Sequence, residues 1–245
     1  MDSPGGGGLP CAGGTRPKRG EQAADTGGKT LVDKTILCFG DSNTHGTVAI
    51  ADLQERRRFD RRDRWPTVMA QALGAGWEVI PEGHPGRTAV FDDPVEGAHK
   101  NGLTMLPALL ETHRPIDLVI VMLGTNDAKA RFAAPAFDIA RGIERVARAI
   151  LASDSGPDGK APAVLLASPV PLIETGVLGP VFAGGAAKSA ELAPLLQEAA
   201  ARIGAGFIDL GQSAKADPTD GIHLSAAAQA AIGQAMAGAV RRMFG

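Results

Sequence analysis

Five short apolar runs, separated by helical patterns, set the fold of this 245-residue chain. They are 36–39, 77–80, 116–123, 163–167 and 207–210. Such runs, bounded by turn residues, suit strands buried on both faces of a parallel sheet. The run 116–123 is apolar at almost every position, as a central strand is. Between the runs, apolar residues fall at helical spacing. Trp65, Val68, Met69 and Leu73 form one such set, with Pro66 near its start and Gly74 and Gly76 at its end. Leu103, Leu106, Leu109 and Leu110 form the next, and Ile139, Ile143, Val146 and Ile150 mark a helix over 136–151. Further helices are expected over 187–203 and from an N-cap at Ser225 to about 242. Strand and helix alternate five times, which predicts a doubly wound α/β domain: a five-stranded parallel sheet with helices on both faces. A (β/α) barrel would need about eight such units. No G-x-G-x-x-G follows the first run and no G-x-x-x-x-G-K-[ST] occurs, so dinucleotide and P-loop readings fail at the motif.

Residues 1–33 differ from the rest. Rich in Gly, Pro and charge and without an apolar period, they read as a flexible tail, with Arg16, Lys18 and Arg19 solvated. They contain no apolar core of a secretory signal, and no run reaches membrane-spanning length. The expectation is a cytoplasmic protein with no membrane association. A net charge of −2 argues against a general nucleic-acid binder. Two cysteines, Cys11 and Cys38, do not make a disulfide framework. The arginines between 56 and 64 alternate with Asp60 and Asp63, which favours a salt-linked loop over a phosphate-binding patch.

The chemistry lies at the ends of the runs, where ligands bind in open α/β sheets. Four polar clusters stand there or in the last loop: Asp41-Ser42, Gly86, Gly124-x-Asn126-Asp127 and Asp220-x-x-His223. Acyl transfer needs a nucleophile, a base, a group that orients the base, and donors for the developing oxyanion. Ser42 supplies the hydroxyl, His223 a base and Asp220 its orienting carboxylate. The N–H groups of Ser42 and Gly86 and the amide of Asn126 are the candidate oxyanion donors. Each residue has a plainer reading: Ser42 as a helix cap, Asn126 as a turn residue, and Asp220 with His223 as a surface turn. Asp41 and Asp127 read as residues that orient backbone or cap turns.

These blocks, in this order, resemble the SGNH hydrolase superfamily, which contains the GDSL lipases and esterases. The resemblance spans about residues 34–243, so that 34–245 reads as one SGNH hydrolase domain. It implies a flavodoxin-like three-layer α/β/α sandwich, a Ser42–His223–Asp220 triad, and Gly86 and Asn126 in the oxyanion hole. The stretches 36–42, 64–65, 117–127 and 220–223 look most like the arylesterase and acyltransferase branch. That likeness implies hydrolysis of small acetyl or aryl esters, with transfer to alcohols or peroxide in some members. It also implies a homo-oligomer whose loops, here 43–64 and 169–185, narrow the channel, and no metal or other cofactor. Two positions depart from the pattern, Asn43 where the block has Leu and His45 where the branch has Trp; with His84 they are candidate pocket residues. His45 is also a rival base. Two other functions are consistent with the strand-end residues. One gathers a metal on Asp41, Asp127, Asp220 and His223 for phosphoester cleavage; the other is a flavodoxin-like binding protein without turnover.

Overall fold

A computed structural model of the protein describes residues 1, 2 and 34–245; the expected tail 1–33, apart from Met1 and Asp2, lies outside the described residues. From residue 34 the chain forms β1 (Lys34–Gly40), α1 (Ser42–His45), α2 (Trp65–Leu73), β2 (Trp77–Gly83), α3 (Gly102–His113) and β3 (Leu118–Met122). It continues through α4 (Ala136–Leu151), β4 (Ala163–Ser168), α5 (Gly185–Ile203), β5 (Gly206–Asp209) and α6 (Ala226–Phe244). All strand pairs are parallel, in the order β2-β1-β3-β4-β5.

Side-chain alternation divides the core between the two sheet faces. In β1, Ile36 and Cys38 pack with Trp65, Met69, Ile232 and Met236, beneath α2 and α6. Leu37 and Phe39 point the other way, to Leu106, Ile139, Ile143 and Leu196 of α3, α4 and α5. Strand β3 repeats the division, with Leu118, Ile120 and Met122 on one side and Val119 and Val121 on the other. The result is the expected three-layer α/β/α sandwich. Burial pushes the Cys38 thiol far above its ordinary range, so it is an inert core group.

Most boundaries agree with the apolar pattern. Helix α4 has the expected bounds, and Ser225 caps α6 by accepting from the Ala228 N–H at 3.2 Å. Strand β2 runs to Gly83, beyond the expected 77–80, and so contains Pro81. It lies at the sheet edge, where a residue without an N–H loses no ladder bond. The strand order reverses direction between β1 and β3. This switch point opens a crevice beyond their carboxyl ends, where Ser42 and Asn126 follow their strands. Among the described residues, no helix is long and apolar enough to cross a membrane.

Candidate active site

Helix α1, only four residues long, begins immediately after β1. Asp41 is its N-cap, and Oδ1 accepts from the Asn43 N–H at 2.9 Å. The cap role that Ser42 could have filled thus belongs to Asp41. Ser42 opens the helix, where the backbone N–H has no partner within the helix. The helix folds back closely over the strand end. A Cβ on Gly40 would lie 2.0 Å from Thr44 Oγ1, and one on Gly83 would lie 2.2 Å from the His45 nitrogen. Only glycine fits at either position.

His223 comes from the loop before α6. Its Nδ1 lies 2.6 Å from Asp220 Oδ2, which also accepts the Ile50 N–H at 2.9 Å. Asp220 Oδ1 accepts the Ile222 and His223 N–H groups, each at 3.0 Å. Burial raises the pKa of this carboxyl. The hydrogen bond and charge of His223, with those backbone N–H groups, outweigh burial and bring it down to about 2. An ionised Asp220 accepts only, so Nδ1 carries the proton and Nε2 is left as the basic nitrogen.

Ser42, Gly86, Asn126 and His223 all line one cavity of about 420 Å³. Both long loops contribute to it: Ile50 and Leu53 from the first, Leu178, Val181 and Phe182 from the second. With Ile222 these supply apolar lining, and Glu55, Arg56, Glu96, Lys100, Lys129 and Arg131 supply charged lining. Gly86 has φ +81° in a turn closed by the Arg87 N–H on the His84 carbonyl at 3.0 Å. Asn126 Nδ2 donates to Asp41 Oδ2 at 3.4 Å, which commits one of its two N–H bonds. Burial raises Asp41 to about 6 and Asp127 to about 7. As expected, both hold backbone: Asp41 caps α1, and Asp127 Oδ1 accepts from the Ala89 N–H of a distant loop at 2.8 Å. Among the described residues, no group of three or more His, Cys, Asp or Glu side chains could hold a metal ion.

The three candidate pocket residues do not line this cavity. Asn43 donates from Nδ2 to the Ile222 carbonyl at 3.1 Å, and its own carbonyl accepts from Gln229 Nε2 at 3.0 Å. It therefore ties α1 to the His223 loop. His45 Nδ1 contacts Thr47 Oγ1 at 3.0 Å, and burial, then Arg58 and Arg64, lower its pKa to about 4. His84 packs edge-on against His99 and lies 3.3 Å from Lys100 Nζ; burial and then Lys100 lower it to about 4. The arginine loop is salt-linked, as in the Arg57–Glu55 pair at 2.6 Å.

The charged residues of the cavity lining carry no sequence period and escape a pattern-based reading. Lys129 Nζ, 3% exposed, pairs with Asp93 Oδ2 at 3.2 Å and Glu96 Oε1 at 2.5 Å. Arg131 reaches Asp93 Oδ1 at 2.9 Å. Arg87 is buried, stacks on Phe39 at 4.3 Å and donates to the carbonyls of Gly40, at 2.9 Å, and Glu82. It joins the ends of β1 and β2.

Comparison with known proteins agrees with this geometry. No curated protein matches the chain in sequence. Among solved structures, Est24, a carbohydrate acetylesterase from Sinorhizobium meliloti, is 38% identical, with a TM-score of 0.82 over 86% of this chain and 100% of that one. The aryl esterase of M. smegmatis is 42% identical, with a TM-score of 0.81 over 85% of this chain and 99% of that one. A second carbohydrate acetylesterase family member from S. meliloti is 40% identical, with a TM-score of 0.79 over 86% and 98% of the two chains. The model of the GDSL-like lipase/acylhydrolase family matches residues 38–231, from the middle of β1 into α6 and across every block of the cavity, and the chain belongs to that family.

Proposed function

We propose that this carboxylic ester hydrolase works through an acyl-Ser42 intermediate, with His223 as base and Asp220 as its orienting group. The observation that carries the reading is the 2.6 Å contact between Asp220 and His223 Nδ1, on a histidine that shares one cavity with Ser42. Ser42 Oγ attacks the acyl carbon as its proton passes to His223 Nε2. The imidazolium returns that proton to the departing alcohol oxygen as the ester C–O bond breaks. Water then attacks the acyl-serine by the same route and frees the acid. The N–H groups of Ser42 and Gly86 and the amide of Asn126 meet the charge that develops on the carbonyl oxygen.

The substrate is a small ester. The S. meliloti and M. smegmatis relatives are a carbohydrate acetylesterase and an aryl esterase. The cavity lining offers both chemistries: apolar side chains such as Leu178 and Val181 for the acyl group or an aryl ring, and the charged Arg56 and Arg131 for a hydroxyl-rich alcohol. Rapid quench with an aryl acetate and with an acetylated sugar, followed by mass spectrometry, should find one acetyl adduct, on Ser42. An adduct on another residue with Ser42 unmodified would overturn this reading.

Asn126 separates an oxyanion role from a turn role. Asn126→Ala should slow acylation by an amount equivalent to roughly 2.7–4 kcal/mol, the cost of losing one such donor. Asn126→Asp should be at least as damaging, because it brings negative charge to the developing oxyanion. A turn residue accepts Asp in place of Asn at little cost. Measured kcat/KM and thermal midpoints decide, and a near-normal Asn126→Asp enzyme would exclude the oxyanion role.

A further inference from the structure

The turn His84-Pro85-Gly86-Arg87 has proline second and glycine third, with Gly86 at φ +81° and the closing Arg87 N–H to His84 carbonyl bond at 3.0 Å. These are the marks of a type II turn. Types I and II share the same ends and differ by a flip of the central peptide, as their second ψ and third φ angles show. In this turn the central peptide joins Pro85 to Gly86. Its C=O and N–H point in opposite directions because the unit is planar and trans. Whatever fixes the Pro85 carbonyl therefore fixes the direction of the Gly86 N–H.

Lys100 does so. Its Nζ donates to the Pro85 carbonyl at 2.9 Å and lies 3.3 Å from His84 Nε2. Its stem runs along Gly86, so that a Cβ there would meet Lys100 Cε at 3.1 Å and Cδ at 3.3 Å. The backbone of Lys100 is itself held, by its N–H on the Gly97 carbonyl at 3.1 Å and the Thr88 N–H on its carbonyl at 3.0 Å. An ammonium on a peptide oxygen makes a charge-assisted bond and polarises the unit, which strengthens its N–H as a donor.

We propose that Lys100 is a positioning residue of the oxyanion hole, its ammonium holding the Pro85–Gly86 peptide so that the Gly86 N–H faces the developing charge. This rests on Gly86 being an oxyanion donor, as argued above. The role lies in a bond to the backbone, so it acts on every substrate alike. Lys100 also lines the cavity, and a lysine that bound the alcohol portion directly would instead act on KM and discriminate among alcohols.

The test uses Lys100→Met and Lys100→Arg on the full chain, with neutral acetates of several alcohols. Lys100→Met should lower kcat roughly 10- to 50-fold, part of the 10²–10³ expected for losing a whole donor, with KM within about threefold. The factor should be the same for every alcohol. Affinity for a boronic acid, which forms a tetrahedral adduct on serine, should fall in parallel with kcat. Lys100→Arg, which restores a cationic donor, should recover most of the rate. Unchanged thermal midpoints would show that the loss is not one of folding. A Lys100→Met enzyme with wild-type kcat, or with a loss confined to KM or varying with the alcohol, overturns the proposal. Ser42→Ala measured alongside keeps the two readings apart: if it stays active, the serine mechanism itself fails. If it is dead while Lys100→Met is normal, only the role of Lys100 fails.

Discussion

Ser42→Ala and His223→Ala should each lower kcat by about 10⁴- to 10⁶-fold, because members of a triad act as a unit. The double variant should lose little more than either alone. A serine without its base is a weak nucleophile at neutral pH, and a base without its serine has nothing to activate. His45→Ala is the control. Its ring contacts Thr47 and its pKa is lowered to about 4, so at neutral pH it is an uncharged and poorly basic group. Its loss should change turnover by less than about tenfold, well below the roughly 10²–10⁴-fold expected for a removed acid–base partner. Single-turnover kinetics on an aryl acetate would separate acylation from release. A dead His45→Ala with an active His223→Ala would move the base to His45.

Asp93→Ala should destabilise the fold by about 3–5 kcal/mol, the range for breaking a buried ion pair from one side. The carboxylate is buried between Lys129 and Arg131, and its Oδ1 also accepts the Val95 and Glu96 N–H groups at 2.9 and 3.0 Å. Burial raises its pKa, but those N–H groups and the two cations outweigh burial and hold it well below the usual carboxylate range. The sign follows. A lowered folded pKa contributes stability that is present above the unfolded value of about 3.9 and is lost as pH falls below it. Wild type should therefore lose more stability than Asp93→Asn between about pH 5 and 3, since the variant has no proton to take up. Urea unfolding at several pH values checks both claims. Equal acid sensitivity in the two proteins would remove Asp93 as its source.

The layers and the four polar blocks were legible because they rest on local rules. A run such as 116–123 has only one environment to occupy, and a polar residue at its end falls on the crevice whatever its partners. Asn43 and His45 show where such reasoning stops. Nearness to Ser42 in sequence puts them in the pocket. The four-residue helix α1, too short to leave a period, turns Asn43 toward Ile222 and His45 toward Thr47. Lys100, Lys129 and Arg131 were not legible for a different reason. They are charged residues in or beside single 3₁₀ turns, too short to leave a period, and their partners Pro85 and Asp93 are joined to them only by the folded path of the chain.

The Asn43–Ile222 bond joins residues 179 positions apart, and Gln229 of α6 braces it by donating to the Asn43 carbonyl and accepting the Trp65 N–H at 2.9 Å. The relative setting of the proposed nucleophile and base is thus closed late. On the ribosome, Ser42 emerges with the first strand, well before His223 and Gln229. On the proposed mechanism, a nascent chain that has completed the sheet through β5 carries a nucleophile with no base beside it and should cleave no ester. On that mechanism catalysis waits for α6 to dock, which would make the onset of esterase activity a clock for that step of folding.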